Sequence, residues 1–168
     1  MRHFLILAVC LLVAACAGSK VSVPEQKVVG LSGGANINRY NDSSNPVVLR
    51  FYQLSSRSQF ESASFWEIYN DSSEELAGVI IDRESIAALY PKEARLVNIE
   101  LQPDTRYLGV FAEYADYETQ RFRASLPISP ETFEKGVTVS VGASGVEIHN
   151  RKSPLIRKKS FFSWGDDS

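Results

Sequence analysis

Few side chains in this chain are suited to chemistry, and their spacing argues against catalysis. Its 168 residues include two histidines, His3 and His149, and two cysteines, Cys10 and Cys16. A Ser-His-Asp or Cys-His nucleophile needs an imidazole as its base. His149 follows Ile148 at the end of an alternating stretch, opposite the apolar face, and reads as a surface residue. No His/Cys cluster has zinc spacing, and no loop of alternating acids around a Gly has calcium spacing. Glu74-Glu75, Asp82/Glu84 and Asp116/Glu118 have the residue types of a glycosidase pair. All three lie in polar, turn-like stretches, where solvated charge is the plainer reading. Gly142-Ala143-Ser144-Gly145 has the small residues of a phosphate loop but no Lys and no helix after it, which leaves a hairpin turn. The expectation is no catalytic residue, no metal, no cofactor and no small-molecule substrate.

Cys16 is suited to a different chemistry. Arg2 and the apolar run from Phe4 to Val13 read as a signal peptide over residues 1–15. The run is too short to span a bilayer as a helix, which takes about 20 residues. Val13-Ala14-Ala15-Cys16 resembles a bacterial lipobox, whose cleavage leaves the Cys as the new first residue with its thiol free for acylation. Cys10 leaves with the removed segment, so the mature chain has no disulfide framework and must be held by its core. Lipoproteins that stay in the inner membrane usually carry Asp after the Cys. Here the residue is Ala17, and that comparison implies the outer membrane.

The elements that would carry these groups are short strands. Residues 16–27 read as a polar tether. Val29, Leu31, Gly33, Ala35 and Ile37 alternate as a first strand, with Gly30, Gly33 and Gly34 suggesting a bulge or a close backbone approach. Residues 38–45, NRYNDSSN, form a loop by composition. Pro46 then opens VVLRFYQL. In that strand Val47, Leu49 and Phe51 share one face while Val48, Tyr52 and Leu54 share the other, so both faces should be covered. Ser58 and Glu61 have capping-box spacing for a helix over residues 58–69, whose apolar residues point in most directions and suit a wedge. Residues 76–90 are open between strand and helix. Val97/Ile99/Leu101, Leu108/Val110/Ala112/Tyr114, Phe122/Ala124/Leu126/Ile128, Val137/Val139/Val141 and Val146/Ile148 alternate as further strands, with a turn over residues 102–105. About seven such strands read as a mainly β fold, an antiparallel two-sheet β-sandwich with a small helical insertion after the second strand. The sandwich would occupy residues 28–149.

Once Arg2 has left with the signal, 17 basic and 20 acidic side chains remain. Five of the cations (Arg151, Lys152, Arg157, Lys158 and Lys159) and two of the acids (Asp166 and Asp167) follow Asn150. The body therefore carries a net charge near −6, which argues against nucleic acid. The basic tail, residues 150–168, suits either anionic lipid headgroups or a segment without fixed structure.

Pro46 to Leu54, then Phe60, Phe65-Trp66 and Tyr69, and the later run RYLGVFAEYAD from Arg106 to Asp116 resemble the outer-membrane lipoprotein of bacterial type VI secretion systems, the TssJ family. The resemblance spans about residues 28–149 and rests on packing motifs. It implies a transthyretin-like sandwich and a structural lipoprotein, held in the outer membrane by acyl chains on Cys16 and facing the periplasm. Its implied partner is the periplasmic C-terminal region of the inner-membrane component TssM. In this family the loop between the first two strands contacts the partner, and Arg39, Tyr40, Asn41, Asp42 and Ser43 fall on that loop. The residues alone point the same way, because the loop is polar and carries the aromatic and guanidinium types that dominate interfaces. They also leave open a second class, a periplasm-facing binding module or hydrolase acting on cell-wall material.

Overall fold

The computed structural model describes residues 23–152, so Cys16 and the tail beyond Lys152 lie outside the described residues. The strands are β1 (Glu25–Gly33), β2 (Arg39–Tyr40), β3 (Ser43–Ser44), β4 (Val47–Leu54), β5 (Ile80–Leu89), β6 (Ala94–Leu101), β7 (Tyr107–Ala112), β8 (Arg123–Pro127), β9 (Val137–Gly142) and β10 (Gly145–His149). Four short helices join them: α1 (Ser58–Ser62), α2 (Phe65–Tyr69), α3 (Glu74–Ala77) and α4 (Thr132–Lys135). One sheet has the order β10-β9-β1-β6 and the other β5-β4-β7-β8, with β2 and β3 forming a separate two-stranded piece. β1 runs parallel to β9, and every other pair in the two large sheets is antiparallel.

The two apolar faces of β4 are both covered. Val47, Leu49 and Phe51 enter the main core between the sheets, with Val29, Leu31, Val110 and Val139. Tyr52 and Leu54 enter a second core under the helices, with Phe60, Phe65, Ile68, Leu76 and Phe111. At Gly109 a side chain would meet the Phe60 ring at 3.0 Å, so the bare backbone there lets α1 lie against the sheet. At Gly33 a Cβ would sit 2.6 Å from the Tyr90 carbonyl oxygen, the close approach its position suggests.

The helical insertion differs from the expected single helix over residues 58–69. Ala63 is extended and splits it into α1 and α2. Ser58 does not cap α1, because its hydroxyl turns to the Gln59 side chain. The reciprocal cap lies instead at Ser64 and Glu67. The Ser64 hydroxyl accepts from the Glu67 amide at 3.3 Å, and the Glu67 carboxylate accepts from the Ser64 amide at 2.6 Å. These bonds hold the Glu67 carboxyl below its ordinary range. They therefore stabilise the fold above the ordinary Glu value, and that support is lost as pH falls through the lower folded value.

Three boundaries also move. β1 begins at Glu25, inside the stretch read as tether, because residues 25–27 already pair with β6. The strand expected to reach Tyr114 ends at Ala112. Residues 76–90 resolve into the end of α3 and the long edge strand β5, which is antiparallel to β4. The turn over residues 102–105 is fastened to β4 by Gln53. Its side-chain oxygen accepts from the Gln102 amide and the Thr105 hydroxyl, both at 2.7 Å, and its nitrogen donates to the Glu100 carbonyl at 2.8 Å.

Candidate partner-docking surface

The loop over residues 38–45 is a tight hairpin. Arg39 pairs with Ser44 and Tyr40 with Ser43, leaving Asn41 and Asp42 as a two-residue turn. Both have positive φ, 49° and 59°, the handedness that hairpin turns need and that Asn and Asp tolerate. Arg39, Tyr40, Asn41, Asp42 and Ser43 are all exposed, so the structure brings together all five residues singled out in the sequence. Tyr40 is 59% exposed, and the Arg39 guanidinium stands 3.6 Å from the Asp42 carboxylate across the turn.

Asn38, missed at the sequence level, fixes the base of this hairpin. It is buried at φ 46°, donates from its side chain to the Pro46 carbonyl at 2.7 Å, and accepts from the Ala115 amide at 2.8 Å. Asn45 donates back to the Asn38 and Ser43 carbonyls at 3.2 and 3.0 Å. A run of turn formers signals a loop, and only tertiary placement distinguishes the buried Asn from the exposed ones.

The segment after β7 joins this hairpin to a second exposed surface. Glu113 accepts from Arg50 at 2.7 Å, Tyr114 is buried, Ala115 bonds Asn38, and the Tyr117 ring stacks on Phe65 with centroids 4.3 Å apart. Beside it Trp66, 51% exposed, donates its indole N–H to the Tyr117 hydroxyl at 3.0 Å. Arg50 lies over the Tyr69 ring at 5.2 Å and donates to the Tyr69 carbonyl at 3.1 Å.

The three carboxylate pairs lie on three different elements: α3, β5 and the segment after β7. Glu74 and Glu75 sit in the first turn of α3, where acids suit the helix N-terminus. Asp82 accepts from Gln53. Glu84 lines a recess of about 310 Å³ with Arg50, Asp71, Arg83, Ser85 and Glu113, in which Asp71 pairs with Arg83 and Glu113 with Arg50. Asp116 accepts from Thr119 at 2.7 Å. His149 lies 3.2 Å from Glu147 at the partly exposed end of β10. Ala143 and Ser144 form the two-residue turn between β9 and β10, as the hairpin reading expects. Among the described residues, no group of three or more His, Cys, Asp or Glu is placed to hold a metal ion.

A family profile described as "Type VI secretion lipoprotein, VasD, EvfM, TssJ, VC_A0113" matches residues 26–144. The chain belongs to this family. Its structure is similar to the type VI secretion lipoprotein TssJ1 from Pseudomonas aeruginosa, at 25% identity and a TM-score of 0.68 over 78% of this chain and 99% of that one. Serratia marcescens Lip, described as a membrane bound component of the type VI secretion system, is similar at 25% identity and a TM-score of 0.66 over 76% and 99%. The same fold occurs, at 21% identity and a TM-score of 0.59 over 74% and 97%, in a structure described as the type VI secretion protein TssM C-terminal domain from EAEC. No curated protein sequence matches the chain significantly. The family match covers the hairpin, the aromatic surface and both cores up to residue 144, and it ends before β10, whose Val146 completes the main core, and before the basic tail.

Proposed function

We propose that the protein is an outer-membrane-anchored structural lipoprotein, acylated on Cys16, that docks the type VI secretion membrane complex by binding the periplasmic C-terminal region of TssM through its β2–β3 hairpin. The observation that carries this reading is the polarity of β1. The chain enters β1 at Glu25, on the side of the tether, and leaves it at Gly33 on the way to Asn38 and the hairpin. Nine residues of strand separate these ends, about 30 Å. A domain held at the Glu25 end would present Arg39 and Tyr40 on its far side, away from the bilayer. The hairpin is pre-shaped, since its turn, its ladder and its Asn38 anchor are all in place, so docking orders little backbone. Family membership supports TssM as the partner, and the relative described as a TssM C-terminal domain structure is in keeping with it.

The test is a binding isotherm of the unacylated mature domain against the periplasmic domain of its cognate TssM, with a melting curve beside it. Truncating central interface anchors typically costs at least ~2 kcal/mol, while exposed loop changes alter stability by about 0.5 kcal/mol or less. Arg39→Ala with Tyr40→Ala should weaken binding at least tenfold and leave the melting temperature nearly unchanged. Unchanged affinity would move the interface off the hairpin, with Trp66 and Tyr69 the next surface to alter.

A further inference from the structure

We propose that the recess beside β5 and the exposed rings of α2 form one site for a sugar, a neutral ring bearing hydroxyl groups. The recess holds two ion pairs. Arg50 donates to the Glu113 carboxylate at 2.7 Å and to the Tyr69 carbonyl at 3.1 Å, and Arg83 pairs with Asp71. Glu84 pairs with Phe51, whose ring enters the main core, so the Glu84 side chain lies on the other face of the sheet. The side chains that face the recess therefore sum to no net charge. A lone cation would meet a guanidinium there and a lone anion a carboxylate, whereas a polyol is attracted by both. Guanidinium and carboxylate groups have more donors and acceptors than these pairs use, and hydrogen bonds to charged groups are the strong ones.

The Tyr52 hydroxyl lies behind this recess. Tyr52 follows Arg50 by two positions in β4 and pairs with Arg83 of β5, so all three side chains leave the same face. The residue is fully buried, and its hydroxyl has no hydrogen-bond partner among the described residues. It feels the charges of Arg50, Asp71 and Arg83, which line the recess, and burial holds the phenol above its ordinary range, so it stays a neutral donor. Buried polar groups are nearly always paired, and an orphan at the back of a polar recess marks where a ligand oxygen fits.

The rings supply the apolar half of such a site. Phe65 stacks between Tyr117 and Tyr69, with centroids 4.3 and 5.7 Å away. Trp66 stands across this stack, at 88° to Phe65, 85° to Tyr69 and 75° to Tyr117, and its N–H is bound to the Tyr117 hydroxyl. The indole is thus held in one orientation while half exposed. Arg50 packs on the Tyr69 ring, which joins the rings to the recess. The C–H groups on a sugar face are drawn to an aromatic π-surface, and a ring already fixed loses little entropy on stacking. Polar groups converging beside aromatic rings are the usual lining of a small-ligand site. That a domain of this kind meets cell-wall glycan or free saccharide rests on the periplasmic location proposed above.

The test is a tryptophan-emission titration of the purified mature chain carrying Cys16→Ser, which has no acyl group, and Trp164→Phe, which leaves Trp66 as the one indole. The probes are the tetramers of N-acetylglucosamine and of glucose, with co-sedimentation on isolated cell-wall sacculi beside them. A saturable change in emission is expected with at least one tetramer. Binding to the N-acetylglucosamine tetramer together with sacculi would assign the site to cell-wall glycan, and binding to the glucose tetramer alone would assign it to free saccharide. Arg83→Ala should weaken binding at least tenfold and Trp66→Ala as much, both read by calorimetry. Tyr52→Phe should weaken it about fivefold and leave the melting temperature unchanged, because the hydroxyl it removes has no partner in the domain. Absence of saturable binding to both tetramers would overturn the proposal even if the chain bound sacculi. Affinity unchanged by both Trp66→Ala and Arg83→Ala would overturn it too. The hairpin takes no part, so failure here is distinct from failure of TssM docking at Arg39 and Tyr40.

Discussion

Cys16→Ser is expected to move the protein from the membrane fraction to the soluble periplasmic fraction under a high-salt wash, and to abolish assembly of the secretion complex. The reason is the arithmetic of insertion. Each buried methylene of an acyl chain contributes about 0.8 kcal/mol, a single chain binds only marginally, and stable anchoring takes two signals or more. No helix among the described residues is long and apolar enough to cross a membrane. Under the proposed function, acyl chains on Cys16 would supply the durable attachment. High salt screens attachment by surface charge and leaves acyl insertion intact, so the washed fraction reports on Cys16. The released protein should have an unaltered circular dichroism spectrum, because residue 16 lies ahead of β1. A Ser variant that stays with the membrane after the wash would show that something other than an acyl group holds it there.

Phe51→Asp is expected to leave no folded domain. Phe51 is 2% exposed in the centre of β4, which is hydrogen-bonded to β5 on one side and β7 on the other. Its ring lies in the main core with Val47, Leu49, Val110 and Val139. A carboxylate there loses its hydration and gains no partner, a cost of several kcal/mol in addition to the lost apolar burial. Domains of this size have about 5–15 kcal/mol in hand. With no cysteine among residues 23–152 to cross-link the domain, the substitution should consume that margin, read as loss of the cooperative transition in urea. His149→Ala is the contrasting variant. Its partner Glu147 is half exposed, and a surface pair of this kind is worth about 0–1 kcal/mol. Secretion should survive it, and loss of secretion by a folded His149→Ala protein would reopen the enzymatic reading.

Much of this fold is legible in the sequence because strand period is a local signal. The alternation Val47/Leu49/Phe51 against Tyr52/Leu54 by itself reveals two covered faces, and the burial of all five agrees. The valines of β9 are legible for the same reason. What the sequence conceals is non-local. Nothing in VTVSVG says that it runs beside β1 in the same direction. Ser58 and Glu61 have the spacing of a cap but lack the extended backbone that one requires. Ser64 has it, with Glu67 three residues on. The candidate surface divides similarly. Polar composition exposes Arg39 to Ser43 as a loop, whereas the role of Asn38 depends on the Ala115 amide, 77 positions away in the chain. That β10 ends on the side of the sheet where β1 begins likewise follows only from strand order and direction.

The most direct measurement of the central claim, that the hairpin tip is the docking surface, is site-specific photocrosslinking in intact cells. A benzophenone amino acid in place of Tyr40 keeps an aromatic at the tip, where the side chain is exposed. The same probe in place of Pro103 lies in the turn after β6, at the end of the domain where β1 begins. A crosslink to TssM is expected from position 40 and none from position 103, with both variants folded and in the membrane fraction. A crosslink to TssM from position 103 with none from position 40 would contradict it, because the face turned toward the membrane anchor would then be the one that meets the partner.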